Sequence, residues 1–325
     1  MRVSNLCRTA STVAVFLISM SFAQSTINQS ARLLHQYDPI TWVENLAVRP
    51  NGEILPIITL GTSAILNKVN PVSDEVSQVH NFSPAGNSIQ SIATVTPDVF
   101  AVNVFTCNIS ALDCTLGSAS TWLVDFRRHG THPKVSQVVS WPQAKFLNGM
   151  AALNDHILLI ADSFLGGIWS LDINSGVQKL LFTETTMSGT AESPTGVNGI
   201  RIWDRTLYFT NTAKDTLNSI SIDPKTGKKT GDAVVIASGL LNPDDLEIDG
   251  RNDVAYVANG LGNQILRIDL KDGRSEVVTS LPGPTSLRWV IGCEGSKLYV
   301  STCGGILQYA IGNITLGGAL YEIDV

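Results

Sequence analysis

Residues 196–223, GVNGIRIWDRTLYFTNTAKDTLNSISID, hold a short apolar run opened by an amide, a polar turn at Asp204-Arg205, and two further short runs. Val, Ile, Leu and aromatic residues dominate these runs, and none is long enough for an ordinary helix, so each reads as a strand. The same plan recurs along the chain. Polar turn signals stand at Asn51-Gly52, Pro97-Asp98, Asn154-Asp155, Asp204-Arg205, Asp249-Gly250 and Glu294-Gly295, roughly 45–55 residues apart. A short run precedes each turn, and ILPIITL, VFAVNVF, ILLIAD, LYFTN, VAYVAN and KLYVST follow. Third runs are SAILNKV, STWLVDF, GGIWSLD, NSISID, NQILRID and GILQYAI; fourth runs are VSQVHNF, KVSQVVSW, VQKLLFT, AVVIAS, EVVTSL and ALYEIDV. Six copies of four strands predict an all-β chain, a six-bladed β-propeller with four antiparallel strands per blade. A sandwich or solenoid also has short strands, but not a four-strand period of this length. Innermost strands are expected to start near residues 44, 89, 148, 198, 244 and 286. ALYEIDV is expected to close the ring as the outermost strand of the last blade, unless ARLLHQY takes that place.

Four innermost strands open on an acid or amide: Glu44-Asn45, Asn148-Gly149, Asn198-Gly199 and Asp244-Asp245. In a propeller these openings fall at one face of the central channel, where the loops between second and third strands also return. Asp162, Asn211 and Asn259 end second strands and form a second polar series at that face. Taken singly, Asn-Gly is a common turn signal. Four openings in register instead point to a site. Oxygen-only ligands suit a hard cation, Ca²⁺ before Mg²⁺. His35, His80, His129, His132 and His156 all lie away from the mouth, which argues against zinc and against a His-based dyad or triad. No G-x-S-x-G elbow or phosphate-cradling glycine loop occurs.

The 325 residues suit a propeller counted as one domain. Residues 1–23 read as a secretory signal, with Arg2 and Arg8 as the basic start, Val13–Ile18 as the apolar centre and Ser21-Phe22-Ala23 as the cleavage site. The apolar centre is too short to span a membrane. Residues 24–325 are then the propeller, and losing Arg2 and Arg8 moves the net charge from −6 to about −8. With no basic run anywhere, neither nucleic acid nor an anionic membrane is expected as a partner. Cys107 and Cys114 bracket a short loop and plausibly pair, as suits an oxidising compartment. Cys293 and Cys303 would lie about 20 Å apart at normal strand rise, so that bridge stays undecided. Sequons at Asn28, Asn81, Asn108 and Asn313 fit a glycosylated, secreted chain.

Trp122, Trp141 and Trp169 fall in third or outer strands, where packing between blades explains them. Trp42 and Trp289 are candidates to wall an apolar pocket. Arg201 and Arg288 are the basic residues on innermost strands, and pairing with acids is the expectation for each.

With these residues in view, the chain resembles the senescence-marker-protein/gluconolactonase/strictosidine-synthase-like propellers. The resemblance rests on WVENLAVRPNGEIL, FLNGMAAL with LLIADS, GVNGIRI with LYFTN, and NPDDLEID with AYVAN, and runs from about residue 40 to the C-terminus. It implies a divalent ion held by Glu44, Asn198 and Asp244, with Asp244 also a general base and Asn148 a substrate contact. In the family a Gly usually follows the aspartate; here Asp245 does, which leaves open which of Asp244 and Asp245 faces the channel. The closer likeness is to a fungal secreted branch that includes the hetero-Diels–Alderases of tropolone sesquiterpenoid pathways, in meroterpenoid secondary metabolism. Those members of the branch join a quinone methide to a humulene-type alkene.

Three functions follow. The first is a cycloaddition by placement and carbonyl polarisation, with Asn148, Asn198 and Asp244 as catalytic residues and Trp42, Trp289, Asp162 and Asn211 around the substrate. The second is a Ca²⁺-dependent lactonase, and the third a non-catalytic ligand-binding propeller. The substrate is then a small apolar molecule or a lactone, no organic cofactor is called for, and the oligomeric state is left open.

Overall fold

A computed structural model describes residues 25–325 except 28, 60–62, 109–110, 112, 129–131 and 293–294. The expected signal segment and the Cys293 half of the undecided bridge lie outside the described residues. Six blades of four antiparallel strands stand in a ring, and in blades one to five these strands follow one another in chain order from the axis outward. Their innermost strands are Trp42–Val48, Ser88–Thr96, Leu147–Ala152, Val197–Trp203, Pro243–Asp249 and Pro284–Gly292. Each of these touches the next, and the last touches the first, which closes the propeller.

The closure corrects the reading of blade six. Ala31–Gln36 is its outermost strand and pairs with Ala319–Asp324, which is the third strand rather than the outermost. The N-terminal segment therefore latches the ring shut. GILQYAI, expected as the third strand, instead forms the short helix Ile306–Ala310 over the channel mouth. Its apolar residues resemble a strand in composition, but glycines at 304, 305 and 312, all with positive φ, bracket a turn-sized segment. Ser25–Thr26 adds a parallel strand to the outer edge of blade five.

Apolar side chains from facing sheets fill the wedges between blades. Trp141 and Trp169 meet edge to face at 5.7 Å between blades two and three, and Trp122 meets Phe82 at the same distance between blades one and two. Cys107 and Cys114 are disulfide-bonded, as their spacing suggested.

At the axis, each innermost strand breaks register at the same place. The irregularities fall between Val43/Asn45, Ile89/Ser91, Leu147/Met150, Val197/Ile200, Pro243/Leu246 and Pro284/Ser286. A bulge re-aims side chains, and it leaves one residue outside the ladder in blades one, two and six and two in blades three to five. The Asn-Gly pairs are thus not hairpin turns. A Cβ on Gly149 would lie 2.3 Å from the Asn198 carbonyl oxygen and 2.8 Å from the Ile200 nitrogen, backbone atoms that cannot step aside. Gly149→Ala is expected to cost about 1–3 kcal/mol as overpacking. Urea unfolding measures this, and an unchanged midpoint would mean the axis is looser than described.

Candidate functional site

Bulged openings from blades one to five converge at the channel mouth. Trp42, Glu44, Gln90, Asn148, Asn198 and Asp244 line one pocket of about 280 Å³. Phe146, Ser193, Thr195, Thr212 and Asn242 complete its wall, and Ile306, Tyr309 and Ala310 of the mouth helix roof it. Glu44, Asn148, Asn198 and Asp244 are all buried, each under a tenth exposed. The four residues picked out by register therefore share one cavity.

Hydroxyls stitch this rim together. Thr212 Oγ1 donates to the Pro243 carbonyl at 2.9 Å and Thr285 Oγ1 to that of Val43 at 2.6 Å, while Thr210 Oγ1 donates to that of Asp244. Each ties a bulged opening to the neighbouring blade, so carbonyls freed from the ladder keep a partner. Asn198 is fixed in turn, its Nδ2 donating to Thr212 Oγ1 at 2.9 Å. Trp42 Nε1 donates to the Glu44 carboxyl, and the Trp42 ring lies 4.9 Å from that of Tyr309. Tyr309 donates from its hydroxyl to the Thr41 carbonyl at 3.0 Å.

Which aspartate faces the pocket is now answered. Asp244 lines it, whereas Asp245 turns down the axis. There Asp245 Oδ2 accepts from Arg201 Nη2 at 2.9 Å, Arg288 Nη1 at 3.0 Å and Ser286 Oγ at 2.6 Å. Both arginines are thus paired with an acid, as expected for charges on innermost strands.

Three expected substrate contacts do not reach the pocket. Asp162 accepts from the backbone N–H groups of Lys145, Phe146 and Leu165 and from Trp169 Nε1, at 2.9–3.2 Å. Asn211 donates to the Thr186 and Ser188 carbonyls and accepts from the Lys214 N–H. Both residues end second strands, where a short polar side chain ties down the backbone of the loops on either side of the blade. Asn259 does the same for Leu241. Asp162 still matters indirectly, because it fixes the backbone of Phe146. Trp289 lies towards the opposite mouth, its ring 5.4 Å from Tyr256 and beside Arg49, Pro97 and Asp98. It stands four residues past Thr285, which at normal strand rise carries it about 13 Å down the strand.

Gln90 was legible in principle, since it occupies in blade two the position of Asn148 in blade three. Phe146 and Thr212 adjoin recognised residues. Ile306 and Tyr309 carried no such signal, because their segment reads as a strand.

The electrostatics of the mouth follow from two buried acids. Burial pushes the Glu44 carboxyl up to about 8, with the charge of Asp245 adding and the Trp42 hydrogen bond opposing. Asp244 is raised well above the ordinary carboxylate range by burial, then by Glu44 and Asp245, against a hydrogen bond from Asn198. No Lys, Arg or His lines the pocket to balance them. Among the described residues no group of three His, Cys, Asp or Glu side chains has metal-holding placement. The donors gathered here are two carboxyls and four amides, an oxygen set whose charge a hard cation would balance. Unfolded Glu44 ionises near 4.5, so between 4.5 and about 8 only the folded chain keeps its proton. Stability then falls as pH rises through that window. In chelator, the melting temperature is expected to drop between pH 5 and 8, and Glu44→Gln to flatten that slope. An identical slope in both proteins would contradict the burial of this acid.

Residues 181–304 match the family model described as SMP-30/Gluconolactonase/LRE-like region. Asn198 and Asp244 lie within that region, while Glu44 and Asn148 come from blades before it. The chain is 27% identical to a protein of Phoma sp. whose name ascribes to it a hetero-Diels-Alderase activity, over 81% of this chain and 83% of that one. A protein of Sarocladium schorii named for the same activity is also 27% identical, over 56% of this chain and 51% of its own length. Regucalcin from Agrobacterium tumefaciens, described as a calcium-binding protein, superposes with a TM-score of 0.65 at 17% identity, over 92% of this chain and 95% of that one. That likeness shows the fold. Among the described residues no helix is long and apolar enough to cross a membrane.

Proposed function

We propose that this protein is a pericyclase that joins an electron-poor oxadiene, such as a quinone methide, to a humulene-type alkene. The observation that carries this reading is the pocket itself. It gathers the aromatic rings of Trp42, Phe146 and Tyr309 with amides and two protonatable acids around one space. The names of the two relatives support the same reaction class. In the cycloaddition, the four π electrons of the oxadiene and two of the alkene form one C–O and one C–C bond. No proton, leaving group or oxidant is needed. The protein supplies placement and a hydrogen bond to the oxadiene carbonyl, whose oxygen gains electron density on the way to the transition state.

Asn148 is a donor at the required face, while Asn198, whose N–H groups go to Thr212 and Asp244, holds Asp244 beside it. A protonated Glu44 keeps one oxygen accepting from Trp42 and turns the other into a donor, a role a buried neutral carboxyl fills well. Asp244, raised by the same surroundings, acts alongside it. We propose in addition that Ca²⁺ can take the place of these protons, held by Glu44, Asn198 and Asp244. When bound, it would supply Lewis-acid polarisation of a carbonyl. Passage through the secretory pathway, with glycosylation at Asn81, Asn108 or Asn313, is proposed from the signal-like residues 1–23 and the exposure of these three asparagines.

A lactonase is the second reading, favoured by the placement of Asp244 beside Asn198 on the pocket wall. The test is incubation with a quinone methide plus humulene, and separately with a panel of lactones. Trp42→Ala removes a wall and the Glu44 contact together, and should slow the cycloaddition about a hundredfold, the size expected for lost placement. Rates within threefold of wild type would take Trp42 out of the substrate site.

A further inference from the structure

Two cavities meet at one side chain. Besides the pocket described above, a cavity of about 400 Å³ lies under the other side of the mouth helix, and Ile306 lines both. The walls of the two differ in chemistry. The first holds Glu44, Asp244 and four amides. The second holds Leu261, Leu281, Pro282 and Leu307, and no charged side chain lines it. Its amide oxygens are already engaged, with Asn263 Oδ1 accepting from the Gly283 N–H at 2.8 Å and Gln308 Oε1 from Thr315 and Leu316.

The side chain that the two cavities share is carried on a short, glycine-flanked segment. Ile306 rests on Gly260 of blade five, where an added Cβ would come within 2.6 Å of Ile306 Cδ1. The helix is five residues long, and the glycines flanking it have φ of 81° and 124° on one side and 67° on the other. Outside that seat Leu307 and Ile311 project to solvent, 59% and 72% exposed. A segment so mounted can shift Ile306 without unfolding a blade. The first pocket, at about 280 Å³, is also small for two reactants, since ligand cavities commonly run ~300–1,000 Å³.

We infer that the second cavity is the binding site of the apolar co-reactant, and that Ile306 is the gate through which it meets the polarised one. This inference rests on the pericyclase reading and adds to it a division of labour. The carbonyl-bearing reactant takes the acid- and amide-lined pocket, where hydrogen bonds act on it. The alkene, with nothing to hydrogen-bond, takes the uncharged cavity. Displacing Ile306 joins the two compartments, and the C–O and C–C bonds form across the opening with no other species consumed or released.

The experiment uses Leu261→Arg and, as a second variant, Leu307→Arg. Both residues line only the second cavity and both are exposed enough to tolerate a charge. Melting curves first establish that each variant is folded. Titration with the neutral apolar dye prodan is expected to find two sites per wild-type chain and one in either variant. In the cycloaddition, the same variants should raise KM for the alkene at least tenfold while leaving KM for the oxadiene within threefold. A single prodan site in the wild type, or two sites persisting in both variants, overturns the inference. Equal changes in both KM values overturn the division of labour. Loss of one prodan site with no cycloaddition in any protein keeps the second binding site and rejects the pericyclase reading instead.

Discussion

Asp245→Ala is expected to destabilise the protein by about 3–5 kcal/mol, the cost of leaving a buried charge without its partner. Its side chain is only 3% exposed and lies between Arg201 and Arg288, which reach in from blades four and six. Arg201 would keep Glu247 at 3.4 Å, but Arg288 would keep only uncharged acceptors such as Asn45 Oδ1 and two carbonyls. The adjacent acid should behave in the opposite way. Asp244 is buried beside Glu44 with no cation among the pocket walls, so its ionised form burdens the fold. Asp244→Asn keeps the shape and removes that charge. In chelator at pH 8 it should be at least as stable as wild type, and in millimolar Ca²⁺ it should lose whatever stabilisation the ion gives. Urea unfolding of both variants, with and without Ca²⁺, reads all of this. Equal losses from the two substitutions would show that the bulge does not separate their surroundings.

The same Asp244→Asn substitution divides the two enzymatic readings. A lactonase activates water through a base, and losing a positioned base lowers turnover by roughly 10²- to 10⁴-fold. A cycloaddition takes no proton from Asp244, and the replacement amide can still donate to a carbonyl. Its rate is expected to stay within about tenfold of wild type, since one hydrogen bond to a polarised oxygen is altered rather than removed. Side-by-side rates on both substrate classes give the answer. A thousandfold loss of cycloaddition would make the aspartate a base or an essential ligand in that reaction too.

Much of this architecture was legible because the propeller repeats its chemistry with its geometry. Turn residues at Asn51-Gly52 and Asp249-Gly250 and the apolar runs around them mark blades directly. Glu44, Asn148, Asn198 and Asp244 were identified by register alone, and register survives folding because every blade bulges at the same residue. What stayed hidden depends on facts that one blade does not carry. Either ALYEIDV or ARLLHQY was expected to close the ring, and only the joined ends decide for Ala31–Gln36. Trp289 shares an innermost strand with the mouth residues, yet strand length takes it to the other face. Asp162 and Asn211 end strands at the correct face, but their short side chains are taken up by the backbone of neighbouring loops. The helix carrying Ile306 and Tyr309 has strand-like composition, and its glycines override that preference.

The central claim is that this pocket accelerates a cycloaddition by holding and polarising its reactants. Chiral analysis of the adduct formed from a quinone methide and humulene, with and without purified protein, tests it most directly. The account predicts a faster reaction and one dominant stereoisomer with the wild-type protein, and a slower, less selective one with Trp42→Ala. An uncatalysed rate and a racemic adduct, from a preparation that hydrolyses a lactone in an Asp244-dependent way, would contradict it.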